Sequence, residues 1–179
     1  YSRNKLTNEN KQLKLDLEKM STKNLELEAE LEALEMQAAG ILNIPDPSFK
    51  SYLVGHKGIN TNGDNEIQVR EANAYSGRID CSLLQIEDLT GIEAFTAITE
   101  LYCGKNKLTS LDVSNNTALT LLDCFSNRLT SLDVTKNTTL TKLFFGVNKL
   151  TSIDITKNNS LTELLCSYNQ LTSLDVSKN

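Results

Sequence analysis

From Ile98 onward the apolar positions recur with a period of 21 residues. The segment Ile98 to Ser114 is followed by equivalents at Leu119 to Thr135, Leu140 to Thr156 and Leu161 to Ser177. The shared line is L-T-x-L-x-C-x-x-N-x-L-T-S-L-D-V-[ST]-x-N. A strict period of this length predicts a solenoid, in which each copy is one unit that cannot bury its apolar side alone. Alternation at Leu122 and Cys124 and their equivalents suits a strand with one buried face, so stacked copies predict a parallel sheet. The inward columns are Leu101/Leu122/Leu143/Leu164, Leu108/Leu129/Leu150/Leu171, Leu111/Leu132/Ile153/Leu174 and Val113/Val134/Ile155/Val176. Burying one such side chain is worth roughly 1.5–3 kcal/mol, enough in sum for a core.

Two columns are not aliphatic. Asn106, Asn127, Asn148 and Asn169 carry amides that donate and accept at once, suited to backbone groups left open where a strand turns out of the sheet. Cys81, Cys103, Cys124 and Cys166 form the other, with Phe145 where a fifth would stand. Three readings of the cysteines stand: a ladder of small buried hydrophobes, disulfides between neighbouring strands, or a metal site. Stacked side chains point the same way, against the disulfide dihedral. No C-x-x-C pair or nearby histidine supports a metal. The first half of the unit, L-x-x-L-x-C-x-x-N-x-L, is the leucine-rich-repeat signature. The whole unit resembles bacterial 21-residue leucine-rich-repeat surface proteins with a cysteine ladder, of the internalin J-like and Bacteroidetes types. The resemblance runs from about Ile44 to Asn179. It implies a curved solenoid with a concave binding face, on a secreted or cell-surface protein. The fourth repeat stops at Asn179 without a cap, so further repeats are expected.

The period changes to seven at the front. Leu6, Leu13, Met20, Leu27 and Leu34 occupy one heptad position, and Asn10, Leu17, Asn24 and Leu31 the other. Gly and Pro are absent from Tyr1 to Ala39, as a long helix requires. With asparagines at a and leucines at d, the pattern predicts a parallel two-stranded coiled coil over 1–41, and hence a homodimer. Glu9 faces Lys14 and Lys23 faces Glu28 across such a pair, while Glu30 and Glu35 repel. The alternative is a single amphipathic helix docked on its own domain, but that helix would carry a wider apolar stripe. In style the segment resembles the coiled coils of streptococcal M-type surface proteins, and a fused helix is the competing account of its presence.

Residues 42–97 read as a cap over the first of the regular repeats at 98–179. Asp46 and Pro47 start a helix whose apolar face is Phe49, Tyr52 and Leu53. Asn60 to Glu71 then resembles the twelve-residue EF-hand loop. The resemblance implies weak calcium binding through Asn60, Asn62, Asp64, the Glu66 carbonyl, Gln68 through water and a bidentate Glu71. Asn60 in place of the leading Asp, and Asn65 in place of the turn Gly, both depart from that pattern. The metal-free alternative is a hydrogen-bonded loop of the same shape. Ile79-Asp80-Cys81 matches Leu101-Tyr102-Cys103, which makes 79–97 an irregular first repeat. The expected fold is therefore an α/β solenoid: a leucine-rich-repeat parallel sheet, a helical EF-hand-like cap, and a preceding coiled-coil helix.

The formal net charge of −5 argues against nucleic acid as a partner. No apolar run is long enough to span a membrane. The outward columns vary while the inward ones do not. Tyr102, Asp123, Phe125, Phe144, Val147, Leu165 and Tyr168 fall on the concave side, and clustered exposed aromatics mark a protein-binding surface. The lone His56 reads as a solvated loop residue. The recurring Asp112, Asp133, Asp154 and Asp175 read as architecture. No Ser-His-Asp or Cys-His arrangement can be placed, so catalysis is not expected and no cofactor is required. The expected function is recognition of a host or bacterial surface protein. The alternative is a spacer or fused scaffold whose coiled coil carries the binding.

Overall fold

The computed structural model describes residues 2–38 and 40–179, which divide into two compact units at the 39/40 boundary. The first unit is one uninterrupted helix, α1 (Ser2–Ala38). Along it Asn10, Leu13, Leu17, Met20, Asn24, Leu27, Leu31 and Leu34 are all exposed. The side chain of the remaining seam residue, Leu6, lies outside the described residues.

The second unit begins at Gly40, whose φ of +69° is a left-handed turn that glycine makes without steric cost. Helix α2 (Pro47–Gly55) starts as its sequence demands. The Asp46 carboxylate accepts the Ser48 and Phe49 N–H groups at 2.9 Å, and Pro47 opens the first turn. The second oxygen of Asp46 accepts the Glu87 N–H at 2.8 Å and that of Asp88, which ties the cap helix to the first, irregular repeat. Burial by itself would raise the Asp46 pKa, but these four N–H donors hold it below the ordinary carboxylate value. A short α3 (Val69–Ala74) follows the loop at 60–68.

Five strands then form one parallel sheet in sequence order: β1 (Arg78–Asp80), β2 (Glu100–Tyr102), β3 (Leu121–Asp123), β4 (Lys142–Phe144) and β5 (Glu163–Leu165). Each strand is only three residues long, so the sheet is a narrow ribbon along one side of a solenoid of about four turns. Register is strict, with Leu101 opposite Leu122, Leu122 opposite Leu143 and Leu143 opposite Leu164. Leu101, Leu122, Leu143, Leu108, Leu129, Leu150, Val113 and Val134 are fully buried. The core runs without a break from Phe49 and Leu53 of α2 into these columns, so cap and repeats share one interior.

Backbone polarity inside the turns is satisfied by two rows of amides. In the predicted row, Asn127 donates to the Cys103 and Cys124 carbonyls (3.0 and 3.1 Å) and accepts the Leu108 N–H at 3.0 Å. Asn106, Asn148 and Asn169 repeat the arrangement. Asn106 and Asn148 are buried, whereas Asn127 and Asn169 are half-buried. The second row closes the opposite side of each turn. Asn137 donates to the Val113 and Asn116 carbonyls, both at 2.9 Å, and Asn158 to those of Val134 and Asn137. Asn116, Asn137 and Asn158 are completely buried. This row is the final letter of the repeat, to which sequence reasoning assigned no role.

All four cysteines are free thiols, with Cys81, Cys103 and Cys124 buried in a column continued by the equally buried Phe145. Burial pushes the Cys81 thiol up to about 12 and those of Cys103 and Cys124 upward as well, so this row packs as a hydrophobe and not as a set of nucleophiles. Asp112, Asp133, Asp154 and Asp175 are exposed, and each accepts the N–H two residues ahead at 2.9 Å, which holds the turn.

Replacing Asn127 by Ala strands two carbonyls and one N–H, each costing about 1–3 kcal/mol when fully buried. With Asn127 half-buried, a loss of about 2–4 kcal/mol is expected in urea unfolding, read as a lower midpoint at unchanged slope. A change within about 0.5 kcal/mol would show that the row does not carry the fold.

Candidate concave binding face

Because the strands stack in register, each outward position becomes a row across the sheet. One row reads Arg78, Glu100, Leu121, Lys142 and Glu163, and the next reads Asp80, Tyr102, Asp123, Phe144 and Leu165. Tyr102, Asp123, Phe125 and Phe144 are half-buried and share this face, while Leu165 on β5 is 57% exposed. Two glycines make the face close-fitting. A Cβ at Gly104 would come within 3.2 Å of Asp123 Oδ1, and one at Gly146 within 3.2 Å of the Phe125 ring.

Val147 and Tyr168 stand elsewhere than their alternation predicts. Strand pairing continues past each strand end, as in Lys105 N–H to Phe125 O at 2.7 Å, and then the backbone turns. Lys105, Ser126, Val147 and Tyr168 take φ of 54°, 56°, 56° and 58°. These residues occupy a left-handed turn at the rim and not the sheet. The conformation is unusual for any non-glycine residue and is an outlier for β-branched Val147. Tyr168 there is 83% exposed. The correction has a physical cause: the chain must leave the strand so that the next residue, the ladder asparagine, points inward.

Charges on the face are mostly paired. The Arg78 guanidinium contacts the Asp80 carboxylate at 2.5 Å and lies 3.9 Å over the Tyr102 ring. Lys142 pairs with Glu163. Asp123 differs. Its Oδ1 accepts the Phe125 N–H at 2.9 Å, and among the described residues it forms no ion pair. Burial raises its pKa, and the nearby Asp80 charge pushes the same way. Sequence reasoning included Asp123 but passed over Arg78 and Asp80. The match of Ile79-Asp80-Cys81 to Leu101-Tyr102-Cys103 was the signal that could have placed Asp80, and with it Arg78, on the face.

The loop at 60–71 spends the side-chain oxygens of Asn60, Asn62, Asp64 and Glu71 internally. Glu71 Oε1 accepts the Thr61 and Asn62 N–H groups and the Thr61 hydroxyl, while Oε2 accepts the Gln68 N–H. Asn60 turns its amide nitrogen to the Val54 and Asp64 carbonyls. Asp64 accepts from Glu66 N–H, Asn62 and Gln68. The Glu66 side chain pairs with Lys50 at 2.7 Å. Among the described residues no group of three or more His, Cys, Asp or Glu side chains is placed to hold a metal. His56, read as solvated, is instead half-buried at the end of α2, with its ring edge-on to Tyr75 at 5.3 Å. It lies next to tyrosines and is not on the sheet face. No helix of the described residues is long and apolar enough to cross a membrane.

The chain is 52% identical over 39 residues to internalin J of Listeria monocytogenes serotype 4b (strain F2365), a stretch that is 22% of this chain and 4% of that protein. Its structure is similar to that of the functional domain of InlJ from Listeria monocytogenes, which includes a cysteine ladder. The TM-score is 0.65 at 39% identity, covering 75% of this chain and 31% of that one. An internalin, inlF, of Listeria monocytogenes strain 4b F2365 shares the fold at TM-score 0.60 and 15% identity, over 75% of this chain and 46% of its own. No protein-family model matches. The chain therefore spans about a third of the InlJ domain, and it carries an internalin J-like leucine-rich-repeat solenoid with a cysteine ladder.

Proposed function

We propose that this chain is a non-enzymatic recognition module, secreted or displayed on a bacterial surface, that captures a protein ligand on the concave face of its sheet. The observation that carries the reading is the row Tyr102, Asp123, Phe144 with Phe125 beside it, a half-buried aromatic patch on a rigid ribbon. Internalin-like leucine-rich-repeat domains generally mediate protein–protein interaction. Aromatic anchors held by a preorganised scaffold lose little entropy on binding. Val147 and Tyr168 at the rim extend the patch toward the side of the ribbon.

We also propose that α1 pairs with its counterpart in a second copy to give a parallel homodimer, so that two concave faces act together. Support comes from the exposed leucine seam and from Asn10 and Asn24 within it, which favour two strands in register. A coiled coil that itself carries the binding, with the repeats as spacer, is the competing account.

For the loop at 60–71 we propose a metal-free role as a joint between α2 and α3. The four hydrogen bonds on Glu71 support this. Burial tends to raise the Glu71 pKa, but those donors hold it below the ordinary value, and so keep it an acceptor.

In capture experiments with bacterial or host surface proteins, the full chain and residues 40–179 alone should retain the same partner. The Phe125→Ala/Phe144→Ala double variant should lose it by about 2 kcal/mol or more while keeping its circular dichroism spectrum. Capture by residues 1–39 alone would transfer the activity to the helix. Sedimentation of the full chain at micromolar concentration should give a dimer, and a monomer would end the bivalent reading. Calorimetry with millimolar calcium should give no binding heat, whereas a saturable isotherm lost in Glu71→Gln would restore the metal.

A further inference from the structure

Rows of the sheet allow one strand to be compared directly with another. On β1 the carboxylate of Asp80 has a guanidinium supplied from two residues earlier, Arg78, which also stacks on Tyr102. Asp123 stands in the same row on β3, but the residue two before it is Leu121. The cation on the neighbouring strand, Lys142, is committed to Glu163. Lys105, exposed on the rim turn, acts on Asp123 only from beyond ion-pair distance. Tyr102 and Phe144 are the register partners of Asp123 on either side, and Phe125 is two residues ahead.

We propose that Asp123, between Tyr102 and Phe144, is the receptor for an arginine side chain presented by the partner protein. This rests on the reading of the concave face as a protein-binding surface, and it gives the partner a chemistry. Arginine fits better than lysine because a planar guanidinium can meet the carboxylate through two N–H groups while stacking on a ring. The Arg78–Asp80–Tyr102 group shows the same three components assembled within the chain. At Asp123 the carboxylate is present with Phe144 as register partner on one side and Tyr102, already carrying Arg78 on its ring, on the other. Among the described residues no cation forms an ion pair with this half-buried carboxylate, and burial raises its pKa, helped by the Asp80 charge and opposed by Lys105 from a distance.

The full chain should be titrated with Nα-acetyl-arginine methylamide, with the neutral citrulline analogue as control, and followed by carboxyl-carbon NMR. The arginine probe should move the Asp123 resonance and bring its titration midpoint down, and citrulline should do neither. Asp123→Asn, nearly isosteric, should weaken the probe by about ten-fold or more, the loss expected for one charge-assisted contact. Leu121→Arg should supply the cation internally, lowering the Asp123 midpoint without probe and blocking the probe by a similar factor. If Leu121→Arg does not fold, Asp123→Asn decides alone. Equal response at the exposed Asp112, Asp133 and Asp154, or unchanged probe binding by Asp123→Asn, overturns the assignment. Partner capture that needs Phe125 and Phe144 but ignores Asp123→Asn overturns the arginine and leaves the binding face standing. Loss of the binding-face reading, conversely, leaves the probe titration unaffected.

Discussion

A chain that turns inward on itself every few residues leaves carbonyl groups facing a dry interior, and in this protein side-chain amides meet them. Asn106, Asn127, Asn148 and Asn169 each bridge the carbonyls of two successive turns on one side. On the other side, Asn116, Asn137 and Asn158 each donate to two carbonyls of the preceding turn. Only an amide can donate twice from one nitrogen while its oxygen accepts, so neither aspartate nor leucine could fill the first row. The strands themselves, three residues each, are too short to hold the stack by sheet pairing alone. The aliphatic columns supply the driving force, and the amides make the buried backbone tolerable.

This arrangement shapes the binding face. Each first-row asparagine must point inward just after the strand ends, and the residue before it pays with a left-handed backbone. That is why Lys105, Ser126, Val147 and Tyr168 all share positive φ, and why their side chains fringe the sheet instead of covering it. Gly104 and Gly146 leave space into which Asp123 and Phe125 settle. The face is therefore a product of the core: the inward rows are constant, and variation is confined to positions that the ladders leave free.

The cap follows the same logic by other means. Asp46 performs two tasks with one carboxylate, starting α2 with one oxygen and holding the first repeat with the other. Glu71 closes the loop at 60–71 in a comparable way. Both are carboxylates of the cap surrounded by N–H groups.

The period of 21, the inward leucines, the first asparagine row and the cap helix at Asp46 were all readable in the chain, because each depends on local spacing or on identical neighbours stacking. The seven-residue stripe of α1 was legible for the same reason. The second asparagine row was visible as a repeated letter, but its purpose was not, since its partners lie 21 and 24 residues away on an adjacent turn. The left-handed rim and the half-burial of His56 were hidden too. So was the contrast between Asp80, which has its arginine, and Asp123, which does not. These depend on which side chains from separate turns meet, and a repeat pattern specifies the rows without saying how the unlike residues within a row divide the space.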